Sequence, residues 1–597
     1  MQKQKVYDPT WDLDVIFPGG SESEQFRTYL TTLEEALDEL ASIVDAFDPS
    51  EEKALSHELS EIVTKLELSM KKQREAFAFI SCLSAQNVHD RQADLLVGRR
   101  NELNARMGSI KTSFDQKLVQ ITDDAWEELL KTKPLSEVSY VLNEYRTHAK
   151  EKLPVEQEVL INDLAIDGYQ GWSQMYDTIV GQMEVEIEED GDVRSYSVGQ
   201  AANKLSNPDR KVRKHVFEEL DKAWSQQSEL FGQTLNHLAG FRLQTYKHRG
   251  WDNVLKEPLS INRMKKETLD VMWSTIAENK QPFVNFLNKK ADLLGLDKLS
   301  MYDIGAPVSE AVQSYTYTEG AQFIVNHFKK FSPKMADFAE MAFEKRWIEA
   351  EDRSGKRPGG FCTSFPDSEQ TRIFMTYSGT ASNIATLAHE LGHAYHQHVM
   401  NDVNGLNQRY AMNVAETAST FAEMIVADAA VNTAQTKDEK IALLEDKIRR
   451  SVAFFMNIHA RFIFEQRFYE ERKQGLVPVQ RLNELMVEAQ KEAYCDAVTD
   501  YDDMFWASKL HFHITGVPFY NFPYTFGYLF SLGLYAHAKQ QDDSFEEDYI
   551  ALLRDTGRMS VEELAMKHLG IDLTKPEFWE EAIQLCRNDV DEFLSLV

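Results

Sequence analysis

The stretch TLAHELGHAYHQH, residues 386–398, sets His389, Glu390 and His393 in the order HExxH. On an α-helix, residues i and i+4 lie about 40° apart around the axis, so two imidazoles project side by side and can reach one metal ion. Glu390 lies on the adjoining surface, where it can reach a water on that ion without ligating it. The chemistry is hydrolysis: zinc acidifies a water, and the glutamate takes its proton as the water attacks a carbonyl. Chance supplies roughly 0.04 such matches at ordinary composition, so the surroundings must carry the rest of the argument.

A catalytic zinc usually takes a third protein ligand and keeps one position open. The longer pattern HExxHxxGxxH fails, because position 396 is His and position 399 is Val. His396 is the nearby competitor, one turn beyond His393. The better donors stand in NVAETASTFAEM, residues 413–424, where Glu416 and Glu423 are seven residues apart on one helical face. One can ligate and the other can orient a histidine through its free ring N–H. Spacing alone leaves that choice open.

A third concentration is LHFHITGVPFYNFPYTFGYLF, residues 510–530, with Tyr520, Tyr524 and Tyr528 every four residues. In a helix their hydroxyls would align, although Pro523 can kink or delay it. Such hydroxyls can donate to the oxyanion formed when water adds to an amide. The competing interpretation is an aromatic core stripe.

These groups need a scaffold. The HExxH segment is expected to be a helix capped by Ser382 or Asn383, with Ile384, Leu387, Ala388 and Leu391 on its packed side. Gly392 within it costs about 1 kcal/mol relative to Ala, which calls for a close-packing reason. Upstream, GGFCTSFPDSEQTRIFMTYSG, residues 359–379, holds β-prone runs at 361–365 and 372–377, predicting a small antiparallel sheet beside that helix. MEVEIEEDGDVRSYSV, residues 183–198, reads as a β-hairpin turning at Asp190-Gly191. Helical periodicity fills 21–47, 55–80, 90–113, 211–248, 265–294 and 437–473, so the fold class is mainly α.

The bulk numbers agree with a large enzyme. Of 597 residues, 43% are hydrophobic and 27% charged, enough to build a substantial core. A net charge of −31 repels phosphate backbones and anionic lipid, so neither nucleic acid nor a membrane surface is an expected partner. No signal-peptide pattern opens the chain and no run of 18 apolar residues occurs, which leads us to expect a cytoplasmic protein. The four cysteines are scattered without a CxxC pair, and core packing is their expected role.

Taken together, HELGH, VAETAS, GGFCTSFPDS with RIFMTYSG, and PFYNFPYTFGYLFSLG resemble the M3 family of zinc metallopeptidases, in particular its oligoendopeptidase F branch. The opening WDLDVIF and the late MSVEELAMKHLGIDLTKPEFWEEAI extend the resemblance over nearly the whole chain. It implies a two-lobed helical body with a deep central channel, one Zn2+ per chain on the channel floor, and short peptides as substrates. It places the third ligand on Glu416 with Glu423 behind, oxyanion and substrate contacts on Tyr520 and Tyr524, and a substrate-binding histidine on His511. The sheet edge at Gly360, Phe361 and Cys362 is expected to pair with substrate backbone. The branch pattern departs at position 513, which is His where Tyr is usual, and residues 514–518 are extra. His513 can therefore exchange roles with His511, and Tyr528 can replace an earlier tyrosine.

The expected organisation is an N-terminal helical lobe, 1–200, that includes the hairpin, and a catalytic lobe, 201–597. The expected activity is zinc-dependent cleavage of internal bonds in short oligopeptides. Two rivals are a dipeptidyl carboxypeptidase-type exopeptidase and a non-catalytic peptide-binding scaffold whose structural metal recruits His396.

Overall fold

The structure is a computed structural model, which describes residues 5–50, 55–189, 191–309, 314–539 and 545–597. Helices dominate, as the periodicity requires. The N-terminal part is built on α1 (Glu24–Ala46), α2 (Leu55–Gln86) and α3 (Arg91–Gln120). Helix α1 starts where the Ser23 side chain accepts a hydrogen bond from the Phe26 N–H, and it buries Phe26, Leu30, Leu33, Leu37, Leu40 and Val44. The expected helix over 211–248 is two helices, Arg210–Gln226 and Ser228–His248, and that over 265–294 divides into Lys266–Glu278 and Gln281–Leu293. Pro282 lies in the first turn of the latter, where its missing N–H costs nothing.

Two separate cores form. The smaller joins side chains from Trp11 to Tyr145 and takes in Phe365, Phe374 and Leu406 from far along the chain. The larger begins with Tyr7 and Tyr176 and runs to Phe593. Val185 and Ile187 of the hairpin belong to the larger core, so the expected division near residue 200, with the hairpin in the N-terminal part, does not follow the packing. That hairpin is β1 (Glu184–Glu189) against β2 (Asp192–Ser197), in antiparallel register from Glu184 opposite Ser197 to Glu189 opposite Asp192. Its turn residue Asp190 lies outside the described residues.

The second sheet joins the two cores. Strands β3 (Ile348–Glu349), β4 (Phe361–Phe365) and β5 (Gln370–Phe374) lie in the order β3-β5-β4. β4 and β5 are antiparallel, but β3 runs parallel to β5, so the expected all-antiparallel sheet is mixed. Among the described residues β4 is an edge strand with one side unpaired. Phe365 and Phe374 anchor the sheet in the smaller core, and the same sheet packs on α4 (Ala381–Val399), which carries HExxH.

Helix α4 packs on α5 (Met412–Thr433), which packs in turn on α7 (Phe522–Ala538) and is flanked by α6 (Lys437–Val452). Its cap is Thr380, not Ser382 or Asn383: the Thr380 hydroxyl accepts from the Asn383 N–H, and Asn383 returns a bond as the third residue of a capping box. Two glycines set the spacing. A Cβ on Gly392 would collide with the Ala418 carbonyl of α5 and lie 2.5 Å from Ser419 Cα. A Cβ on Gly527 of α7 would meet Glu416 Cβ at 2.7 Å and the Asn413 carbonyl at 2.9 Å. Only glycine permits these approaches, and both fall beside the candidate ligands.

Candidate metal centre and active site

The close crossing of α4 and α5 brings three donors to one point. His389 Nε2 is 3.3 Å and His393 Nε2 3.7 Å from Glu416 Oε2. The donor atoms of the three residues lie within 4.8 Å of one another. The imidazole rings stand 4.9 Å apart and nearly perpendicular, at 86°. Two imidazole nitrogens and a carboxylate form a zinc-type ligand set with room for a further, exchangeable position.

Electrostatics suit the same purpose. Burial holds His393 in its neutral, metal-binding form, pushing its pKa down to about 4. Burial alone would raise Glu416, but the hydrogen bond from His389, the nearby His393 and a 2.9 Å bond from Ser419 Oγ bring it down to about 2. His389 turns its other nitrogen to Glu423, with Nδ1 2.9 Å from Oε2. The second Glu423 oxygen pairs with Arg450 of α6. A carboxylate behind a ligating imidazole fixes its tautomer and its aim, so the donor set fits the metal.

Glu390 is the exception that chemistry needs. Its carboxylate is buried, its Oε2 has no hydrogen-bond partner among the described residues, and burial raises its pKa to about 7, with His389 opposing and Glu416 reinforcing the shift. A carboxylate poised near neutrality can take a proton at working pH. It faces a cavity of about 370 Å³ lined also by His389, His393, Gln397, Tyr410, Glu416, Gly360 and the β4 residues Phe361 to Ser364. Gly360 sits against it, with its Cβ position 3.7 Å from Glu390 Oε1. The unpaired edge of β4 thus borders the same space as the donors.

Residues 386–398 and 413–424 therefore meet as the spacing suggested. Relatives agree. Residues 204–585 match the family model of Peptidase family M3, and residues 117–184 match that of Oligopeptidase F. The chain belongs to peptidase family M3, in its oligopeptidase F branch. An oligoendopeptidase F homolog of Lactococcus lactis is 22% identical over 98% of this chain and 97% of its own. Oligopeptidase PepF of Bacillus subtilis is likewise 22% identical, over 99% and 87%. Oligoendopeptidase-F from Enterococcus faecium shares the fold, with a TM-score of 0.68 at 18% identity over 96% of this chain and 99% of that one. PZ peptidase A, solved with an inhibitor, gives 0.73 at 15% identity over 94% and 97%. Members of family M3 are zinc peptidases, and this chain is an M3 oligopeptidase.

The remaining expectations divide. His511, Tyr520 and Tyr524 cluster, with ring centroids 5.3 Å, 6.2 Å and 5.9 Å apart. Tyr524 also shares with His389, Glu416, Glu423 and Arg450 a second cavity of about 300 Å³. Helix α7 begins at Phe522 with Pro523 in its first turn, so Tyr520 precedes the helix rather than aligning along it. Burial, helped by Arg461 and Lys509, lowers the pKa of His511 to about 4, and its Nδ1 has no partner among the described residues. His513 does not share this position. It is fully buried and stacked 4.1 Å from Tyr176, with Nδ1 near Thr234 and Nε2 near the Trp506 carbonyl, so it has no face for a substrate. Tyr528 lines the second cavity together with Tyr524, but its hydroxyl is engaged by Ser451 at 3.0 Å.

His396, the competing donor, is fully buried and turned toward Thr556 at 2.9 Å and the Leu553 carbonyl, with its ring stacked on Tyr410. It is not one of the converging donors. Sequence reasoning missed Arg450 and Ser419, which hold Glu423 and Glu416. Gly527 left a faint signal, as a glycine inside a helical run. Among the described residues no helix is long and apolar enough to cross a membrane.

Proposed function

We propose that this M3 peptidase is an endopeptidase that cuts internal bonds of short oligopeptides, using one zinc ion held by His389, His393 and Glu416. When bound, zinc supplies a Lewis acid that polarises the scissile carbonyl and acidifies the attacking water. Glu390 accepts the proton of that water and returns it to the departing amine. Tyr520 and Tyr524, with His511, donate to the developing oxyanion. Glu423 keeps His389 in the tautomer that leaves Nε2 free to ligate.

The single observation carrying this proposal is the shared cavity: three converging donors, an unpartnered Glu390 and an open strand edge border one space. A peptide added to β4 as a further strand would be held by main-chain hydrogen bonds, which are indifferent to side chains and favour broad sequence tolerance. A two-lobed body with a size-limiting channel belongs to the same proposal. It is supported by the two cores and by the cavity where β4, anchored in the smaller, faces α4 of the larger. The orientation of His396 favours an exchangeable metal position over a closed structural site.

The test is mass spectrometry of graded peptides, half of them blocked at both termini, after incubation with zinc-loaded wild type and with Glu390→Gln. Internal cuts in blocked peptides, lost in Glu390→Gln with metal retained, are expected. Trimming confined to peptides with free ends would replace the endopeptidase by an exopeptidase.

A further inference from the structure

Arg74 is a cation with no anionic partner among the described residues. It lies on α2, in the N-terminal part, and reaches three elements far along the chain: Nη1 donates to Gln408 Oε1 at 3.2 Å, and Nη2 donates to Ser364 Oγ at 2.8 Å and to Gln397 Oε1 at 3.0 Å. All three acceptors are neutral. Burial lowers its pKa, and its electrostatic neighbours are Tyr410 and Arg409, a phenol and another cation. A desolvated guanidinium without a counter-charge is costly, which calls for an anion supplied from elsewhere.

Its contacts show where that anion would sit. Ser364 and Gln397 both line the cavity that holds Glu390, as does Tyr410. Because Ser364 Oγ accepts from Arg74, its own proton is free for another acceptor, and the cavity is beside it. The Tyr410 hydroxyl has no hydrogen-bond partner among the described residues. The Gln397 amide, its oxygen on the guanidinium, has a polarised N–H pair of which one bond goes to Gln408 at 3.3 Å. Three donors backed by one buried positive charge border the same wall.

We propose that this wall is a carboxylate subsite, at which Ser364, Tyr410 and Gln397, charged through Arg74, hold a carboxylate of the peptide substrate. The inference rests on the peptidase function proposed above and adds a ruler to it. Gly360 abuts Glu390, and Ser364 is four residues further along β4, about 13 Å in extended strand. A peptide paired with that edge places about four residues between the reacting bond and the anchored charge. The carboxylate is either the peptide's own C-terminus or an acidic side chain, since both present the same group. The local preference runs against the net charge of −31, so it acts only at short range.

The experiment uses an N-acetylated octapeptide without charged side chains in four forms: C-terminal acid, C-terminal amide, and the amide with one Glu at either end. Binding is measured by calorimetry to metal-loaded Glu390→Gln, and cleavage sites are mapped with wild-type protein. At least one carboxylate-bearing form is expected to bind tenfold or more tighter than the uncharged amide, with cuts about four residues from the charge. Which form gains identifies the source. In Ser364→Ala, Tyr410→Phe and Arg74→Met, each combined with Glu390→Gln, the gain falls toward one while binding of the uncharged amide persists. The two hydroxyl deletions keep the test sound if Arg74→Met does not fold. Equal binding of all forms, or a preference that survives every substitution, overturns the subsite. If wild type cuts all forms alike, the subsite falls and the peptidase stands; if no form is bound or cut, both fall.

Discussion

Glu423 Oε2 stands 2.9 Å from His389 Nδ1 while its other oxygen meets Arg450, so a carboxylate and a cation on two different helices aim one imidazole. Loss of such a partner typically weakens metal binding by roughly 10–100-fold. Glu423→Ala is therefore expected to lower zinc affinity by about that factor in chelator competition, and Glu416→Ala by more. An unchanged affinity in Glu423→Ala would remove Glu423 from the site.

The helix crossing that creates the site depends on Gly392. An alanine there drives its methyl into the Ala418 carbonyl and Ser419, and overpacking of this kind costs about 1–3 kcal/mol. Gly392→Ala should unfold at lower temperature and retain less zinc, because Ser419 and Glu416 move together. Gly98, a helical glycine with nothing within 4 Å of its Cβ position, provides the contrast. Gly98→Ala should be neutral or stabilising by up to about 1 kcal/mol. Equal responses of the two variants in thermal unfolding would show that the crossing is not tight.

What could be read in advance was what repeats locally. Two histidines at i and i+4 announce their own geometry, and β4 spans Phe361–Phe365 as its β-prone run suggested. The roles of Glu416 and Glu423 could not be separated by spacing. They share a face, and only the point where α5 crosses α4, about 10.5 Å of helix apart between them, assigns each its nitrogen. His511 and His513 were inseparable for the same reason, because two residues across a short 3-10 turn send one ring to the tyrosine cluster and the other into the core. Thr380 escaped notice as a cap because its capping-box partner is Asn383 rather than the usual Glu or Gln. Arg450 and Arg74 act across elements distant in sequence, and nothing local marks them.

The tyrosine assignments separate by kinetics. An oxyanion donor acts in the transition state, so its loss lowers kcat and kcat/KM together and leaves KM nearly unchanged. Tyr524→Phe and Tyr520→Phe are each expected to lower kcat by about 10²–10³-fold. Tyr528→Phe removes a hydroxyl bonded to Ser451 in the core and should leave kcat within a few-fold. Steady-state rates on one blocked peptide decide this, and a large kcat loss in Tyr528→Phe alone would reverse the assignment.

His513 gives the fold a pH dependence of its own. Burial pushes its pKa down to about 3, the Trp506 carbonyl opposing slightly, and the groups around it are Tyr176, Phe231, Thr234 and that carbonyl, none of them charged. The unfolded chain binds a proton at about pH 6.5, whereas the folded one resists it until about pH 3. Stability from this residue is thus intact above pH 6.5, is lost progressively as pH falls, and levels off below pH 3. Between pH 6.5 and 5 the loss amounts to about 2 kcal/mol. His513→Asn, which cannot titrate, should be less stable than wild type at pH 7 and should lose correspondingly less between pH 7 and 5. Urea unfolding of metal-free wild type and variant at both pH values measures the difference. Parallel pH slopes would mean that the His513 ring is protonated in the folded protein and that its burial is not as described.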